Sequence, residues 1–216
     1  MKLNIAVLEG DGIGPEVTAQ AVKVLKAIAM EFNHIFTFQK GLIGASAIHN
    51  KGHPLPEETI SMCKKADAVL FGAIGDTKYD EDPDAKIRPE QGLLGIRKEL
   101  GLHTNIRPII AYEDLLNKSS LKVKQIKDTN ILIYRELTGG IYFGERYLSD
   151  DGNIASDVCK YERFEIERIT HQAFKAALSR KSKLTLVDKA NVLESSRLWR
   201  RVVKEIAPQY PNVKVN

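Results

Sequence analysis

The stretch LNIAVLEGDGIGPEV, residues 3–17, decides the fold. Leu3–Leu8 is an apolar run of strand length, of the kind that suits a parallel sheet covered on both faces. Gly10, Gly12 and Gly14 follow it, and then Pro15. A helix is expected from about Pro15, because proline fits the first helical turn. Val17, Ala21, Val24, Leu25 and Ile28 recur at the helical spacing and form the expected inward face. A strand, a glycine-rich turn and a helix in that order open an α/β protein.

The same alternation continues outward. His34–Gln39 and Ala68–Ala73 read as further strands. Pro56–Lys65 reads as a helix, with Glu57 and Glu58 in its first turn and Lys64 and Lys65 in its last, as the helix dipole favours. Gly75–Pro89 holds five acidic residues and two prolines and is expected to be a long surface loop. Gly92–Leu100 reads as a short helix, His103–Ile110 as extended, and Asn130–Arg135 as a strand. Asp150-Asp151-Gly152-Asn153 marks the turn of a hairpin within Leu148–Tyr161. Phe164–Leu178 is helical, with an apolar face at Phe164, Ile166, Ile169, Ala173, Ala176 and Ala177. Lys183–Asp188 reads as a strand, Glu194–Ile206 as a helix stopped by Pro208, and Asn212–Asn216 as the opening of another strand.

Composition narrows the function classes. The 216 residues make one large domain or one and a half small ones. Hydrophobic residues are 43% and charged residues 28%, ordinary for a soluble globular chain. No apolar stretch reaches the roughly 18 residues of a membrane span, so no membrane partner is expected. Only Cys63 and Cys159 are present, which argues against a disulfide scaffold and for a reducing cytoplasm. The net charge is +4, and the basic clusters at 180–183 and 197–201 lack interleaved aromatics. They read as solvated faces, so no nucleic acid is expected.

Four motifs carry chemistry. Gly10, Gly12 and Gly14 are spaced G-x-G-x-G, and Glu31 falls in a helix where a dinucleotide fingerprint wants a strand-end carboxylate. Taken alone, the motif is a tight strand-to-helix turn. Arg97, Arg107 and Arg135 form the second set. Arginine at a strand end suits bidentate capture of a carboxylate, although a surface salt bridge is the commoner use. Tyr142 sits in TGGIYFG, where it is open to reading as a general acid or as a core aromatic. Lys189 follows an apolar run in VDKANVL, where it is either a partly desolvated base or the partner of Asp188. The five histidines show no metal-ligand spacing, and neither a Walker A pattern nor G-x-S-x-G is present.

Taken together, GDGIGPEV at 10–17, KIRPEQGLLGIRKELGLHTNIRP at 86–108, RELTGGIYFGE at 135–145 and VDKANVLESSRLWR at 187–200 resemble the N-terminal part of the 3-isopropylmalate dehydrogenases. These belong to the β-decarboxylating dehydrogenases, with the isocitrate, homoisocitrate and tartrate enzymes. The resemblance implies a truncated α/β fold of that type: a parallel or mixed sheet flanked by helices, with a β-hairpin arm. It implies the first part of a cofactor-side domain over 1–105 and a substrate and dimerisation domain over 106–216.

It also implies NAD-dependent oxidative decarboxylation of 3-isopropylmalate, in leucine biosynthesis, helped by Mg2+ or Mn2+. Arg97, Arg107 and Arg135 then match the arginines that hold the malate carboxylates. Tyr142 and Lys189 match the acid–base pair. Ile13, Asp76, Thr77 and Glu90 match positions beside the nicotinamide and its ribose. Leu93 and Leu94, one turn before Arg97, suit an isopropyl group, and burying a third carboxylate against them is costly. The metal carboxylates of the family fall outside residues 1–216, so no metal ligand is expected in this chain. The hairpin matches an arm that pairs across a homodimer. Tartrate or homoisocitrate as substrate, and an inactive piece that only binds or dimerises, are the alternatives.

Overall fold

The computed structural model describes residues 1–82 and 85–216, and the chain divides into two compact units, Met1–Gly101 and Leu102–Asn216. In the first unit, β1 (Lys2–Gly10) lies between β2 (Ile35–Gly41) and β3 (Ala68–Ala73) in a parallel sheet of order β2-β1-β3. Ile5, Ala6, Val7 and Leu8 are all buried, as a central strand covered on both faces requires. Helices α1 (Gly14–Glu31), α2 (Ala45–Lys51), α3 (Glu57–Lys65), α4 (Thr77–Asp80) and α5 (Pro89–Glu99) complete the unit. Its core gathers Ala6, Leu8, Ile43, Leu55, Ile60, Cys63 and Ile96.

In the second unit, β4 (Thr104–Ile110) and β5 (Asn130–Glu136) form an antiparallel ribbon. A 3-10 turn at Glu113–Lys118 and α6 (Val123–Ile126) connect them. Next come the hairpin of β6 (Arg146–Leu148) and β7 (Ala155–Asp157), α7 (Arg163–Leu178), β8 (Lys183–Leu184), α8 (Glu194–Ile206) and β9 (Lys214–Val215). Strands β8 and β9 pair in parallel. Helices α7 and α8 pack together around Ile166, Phe174, Ala177, Val202, Val203 and Ile206. The strongly amphipathic α8 turns its basic face outward.

Several expectations need correction. Helix α1 does not bury the stripe Val17, Ala21, Val24, Leu25, Ile28: Val17, Val24 and Ile28 are exposed. The buried positions are Gly14 and Thr18, with the Thr18 hydroxyl donating to the Gly14 carbonyl at 2.8 Å. Close approach to a sheet selects small side chains, and a count of apolar residues does not register them. In α7, Phe164 is exposed and lies under the Arg168 guanidinium, while Phe174 is the fully buried aromatic. The strand expected over Lys183–Asp188 stops at Leu184. Leu186 N still donates to Asn216 O, and Val187, 90% exposed, projects into solvent. Helix α5 begins at Pro89, three residues ahead of Gly92, and α2 lies where no element is expected. The loop over Gly75–Pro89 contains the short helix α4, with Pro83 and Asp84 outside the described residues.

Candidate active site

In the first unit, the residues of interest crowd the C-terminal ends of β1 and β3. Gly10 (φ +73°) begins the turn, and a Cβ there would lie 1.9 Å from the Ala73 carbonyl oxygen, so only glycine fits. Asp11, flanked by Gly10 and Gly12, is 6% exposed and acts as a clasp. Its Oδ2 accepts Ala45 N at 2.9 Å and Gly75 N at 3.2 Å, and its Oδ1 accepts Ser46 N at 2.8 Å. One carboxylate thus joins the turn after β1, the N-terminus of α2 and the segment after β3, where the helix end favours negative charge.

The expected cofactor residues stand around this clasp. Ile13 is 56% exposed. Asp76 caps α4 by accepting Lys78 N at 3.0 Å, and Thr77 is the first residue of that helix. The Glu90 carboxylate lies beside Gly75. Leu93, Leu94 and Arg97 are half-buried on α5.

In the second unit, the register places Asn105 opposite Arg135 and Arg107 opposite Ile133. Cross-strand partners share a face, so Asn105, Arg107 and Arg135 stand together on one side of the ribbon. Asn105 Oδ1 accepts Arg107 Nε at 2.6 Å, and the terminal guanidinium donors have no partner among the described residues. The Arg135 guanidinium carbon lies 5.3 Å from the centroid of the Tyr142 ring. Among the described residues Arg135 makes no hydrogen bond or ion pair to the protein.

The opposite face of the ribbon is a buried brace. The Glu136 side chain is 1% exposed and pairs with Arg168 of α7 at 2.7 Å. It also accepts Thr138 N, Gly139 N and the Thr138 hydroxyl at 2.7–2.8 Å. Burial pushes the Glu136 carboxyl up, but the bonds from Gly139, Thr138 and Arg168 outweigh it and hold the group below its ordinary value. The brace fixes the Thr138-Gly139-Gly140 turn between Arg135 and Tyr142. Sequence reading does not single out Asp11, Asn105, Glu136 or Arg168. The first three fall inside the quoted motifs, and nothing in the sequence marks Arg168, which lies outside them.

Lys189 stands on the loop between β8 and α8. Lys189 N donates to Ser196 Oγ at 3.1 Å, and Lys189 O accepts Val192 N and Leu193 N, each at 3.0 Å. Its neighbour Asp188 is paired with Arg200, not with the Lys189 ammonium. Arg107, Arg135 and Tyr142 therefore form one cluster, while Lys189 belongs to a separate network. For a metal, no group of three or more His, Cys, Asp or Glu side chains converges among the described residues.

Residues 4–216 match the family model described as isocitrate/isopropylmalate dehydrogenase. The chain belongs to this family. The 3-isopropylmalate dehydrogenase of Bacteroides fragilis (strain YCH46) is 53% identical over 213 residues, covering 99% of this chain and 60% of that enzyme. That of Bacillus subtilis is 52% identical over 219 residues, covering 100% of this chain and 60% of that enzyme. Among solved structures, isocitrate dehydrogenase from Methylococcus capsulatus superposes with a TM-score of 0.83 at 28% identity, covering 98% of this chain and 59% of that one. A β-decarboxylating dehydrogenase from Thermococcus kodakarensis gives 0.70 at 35% identity, covering 99% and 56%. The chain thus spans about 60% of the length of the family members it matches.

Proposed function

We propose that the protein carrying this chain oxidises and decarboxylates 3-isopropylmalate to 2-oxo-4-methylpentanoate and carbon dioxide, with reduction of NAD, in leucine biosynthesis. The observation that carries the proposal is the pair Arg107 and Arg135, on one face of the β4–β5 ribbon, with unused guanidinium donors beside Tyr142. Guanidinium forks of this kind suit the carboxylates of a malate. By the family likeness, Arg97 is assigned to a malate carboxylate, and Leu93 and Leu94 to the isopropyl group.

The roles follow from the chemistry. Lys189 takes the proton of the substrate hydroxyl. A bound nicotinamide would supply the two-electron acceptor for the C2 hydride. Once C2 is a ketone, the carbon–carbon bond to the β-carboxylate breaks, carbon dioxide departs, and the electron pair remains as an enolate. Tyr142 protonates that enolate at carbon.

The first unit fits the cofactor. Ile13 offers an exposed apolar surface, and Glu90 offers a carboxylate beside Gly75 that has no ion pair among the described residues. Among the described residues no three His, Cys, Asp or Glu side chains converge. In this proposal the ligands for Mg2+ or Mn2+ lie outside residues 1–216, and no step here is routed through the ion.

We also assign the first unit to the cofactor side and the second to the substrate side and to a cytoplasmic homodimer. Tyr147, Leu148 and Ile154 on the β6–β7 hairpin, 59–65% exposed, are the apolar surface that supports the dimer. The test is a substrate panel with the full-length protein, NAD and Mg2+ or Mn2+. Turnover with 3-isopropylmalate well above that with isocitrate, tartrate or homoisocitrate is expected. Preference for any of these others overturns the substrate assignment.

A further inference from the structure

The backbone around Lys189 is more tightly held than an exposed loop needs, and its side chain is not held at all. Both backbone polar groups of Lys189 are hydrogen-bonded, N to Ser196 Oγ and O from Val192 N and Leu193 N. On one side of it, the Asp188 carboxylate folds back over the lysine and accepts Ala190 N at 3.0 Å. On the other, Arg197 Nε donates to the Ala190 carbonyl at 3.0 Å. Among the described residues the Lys189 ammonium has no hydrogen-bonding partner.

The key to this frame is Arg200. It grips Asp188 as a bidentate fork, Nε to Oδ2 at 3.0 Å and Nη2 to Oδ1 at 2.7 Å. The Asp188 side chain is only 7% exposed, whereas that of Arg200 is 52% exposed. Ser196, Arg197 and Arg200 lie within little more than one turn of α8, so one helical face carries the whole clamp. The charged groups on that helix around the loop are Glu194, Arg197, Arg200, Arg201 and Lys204, and Glu194 is paired with Arg197. Arg200 is the one that neutralises Asp188, the carboxylate next to Lys189 in the chain.

We infer that Arg200, acting through Asp188, is a positioning residue for Lys189: it locks the turn that presents the lysine. The inference rests on the reading of Lys189 as the proton acceptor. A base must be within hydrogen-bond reach of the proton it takes. A bidentate arginine–aspartate pair serves that need, since its two parallel bonds fix direction.

The experiment uses the full-length enzyme with three variants, Lys189→Ala, Arg200→Met and Arg200→Lys, each checked for a retained melting temperature. Lys189→Ala is expected to abolish turnover; retained turnover overturns the reading of Lys189 itself. Arg200→Met is expected to lower kcat by about 10²-fold, the cost of misplacing a catalytic group by about an ångström, with KM for the malate little changed. Arg200→Lys is expected to recover little of the rate, since an ammonium carries the charge without the fork. An inactive Lys189→Ala beside a folded Arg200→Met with normal kcat overturns the inference alone. So does a loss of rate in Arg200→Met that only tracks lost melting temperature.

Discussion

The guanidinium of Arg135 is stacked on the ring of Tyr142, 5.3 Å from guanidinium carbon to ring centroid. They lie seven positions apart in the chain, and the turn held by Glu136 brings them together. The pairing joins a group suited to a carboxylate with a group suited to proton transfer. A cation over a tyrosine face contributes about 0.5–1 kcal/mol at an exposed site, which is enough to bias the ring without locking it.

Arg135→Met is therefore expected to lower kcat/KM for the malate by about 10²-fold, the loss of a charged hydrogen-bonded contact. The fold should not change, because Arg135 makes no hydrogen bond or ion pair to the protein among the described residues. Steady-state kinetics together with a thermal melt separate the two effects. A large drop in melting temperature contradicts the assignment of Arg135 to the substrate.

The buried brace behaves differently. Glu136→Gln leaves Arg168 facing a neutral amide and is expected to cost about 3 kcal/mol in urea unfolding. The pH dependence has a definite sign. The folded-state value of Glu136 is depressed, so its stabilisation is fully present above the unfolded value of about 4.3 and is lost as pH falls through the folded one. The gap between wild type and Glu136→Gln should start to close as pH falls below about 4.3 and vanish only below the depressed folded value. A constant gap between the two curves down to low pH contradicts this.

Gly44 tests the clasp in the first unit. It adopts φ +78°, and a Cβ there would lie 2.3 Å from Asp11 Oδ2. Gly44→Ala is expected to cost about 2 kcal/mol or more, from the left-handed backbone and the displaced carboxylate. Because Asp11 also holds Gly75, next to Asp76, the KM for NAD should rise more than the KM for the malate. Equal change in both, or none, separates the clasp from cofactor binding.

Leu93 tests substrate choice. Leu93→Asn is expected to lower kcat/KM for 3-isopropylmalate relative to unsubstituted malate by about 10–100-fold, the 1–3 kcal/mol scale of an alkyl group in an apolar pocket. Competition assays with the two substrates measure the ratio directly. An unchanged ratio removes Leu93 from the pocket.

Much of the architecture is legible in the chain. LNIAVL, AVLFGA and NILIYR are apolar runs with no competing period, and they are β1, β3 and β5. Helix α8 runs over Glu194–Ile206 as its amphipathic pattern indicates. What escapes is decided by packing. The inward face of α1 goes to Gly14 and Thr18 because they allow close approach, not because they are apolar. The paired strand before Lys189 covers Lys183–Leu184, with one further bond from Leu186 N to Asn216 O.

The candidate site shows the same division. Arg107, Arg135 and Tyr142 are visible as motif residues, and the register of β4 against β5 sets both arginines on one face. Asn105, Glu136 and Asp11 are invisible in the sequence because their importance lies in partners brought from elsewhere in the chain.

The most direct test of the account is the turnover of 3-isopropylmalate by the full-length protein carrying Tyr142→Phe or Lys189→Ala. Each variant is expected to fold normally, bind the malate through its arginines, and lose nearly all NAD reduction or product release. Near wild-type turnover in both variants would contradict it, because the proton transfers would then belong to other groups.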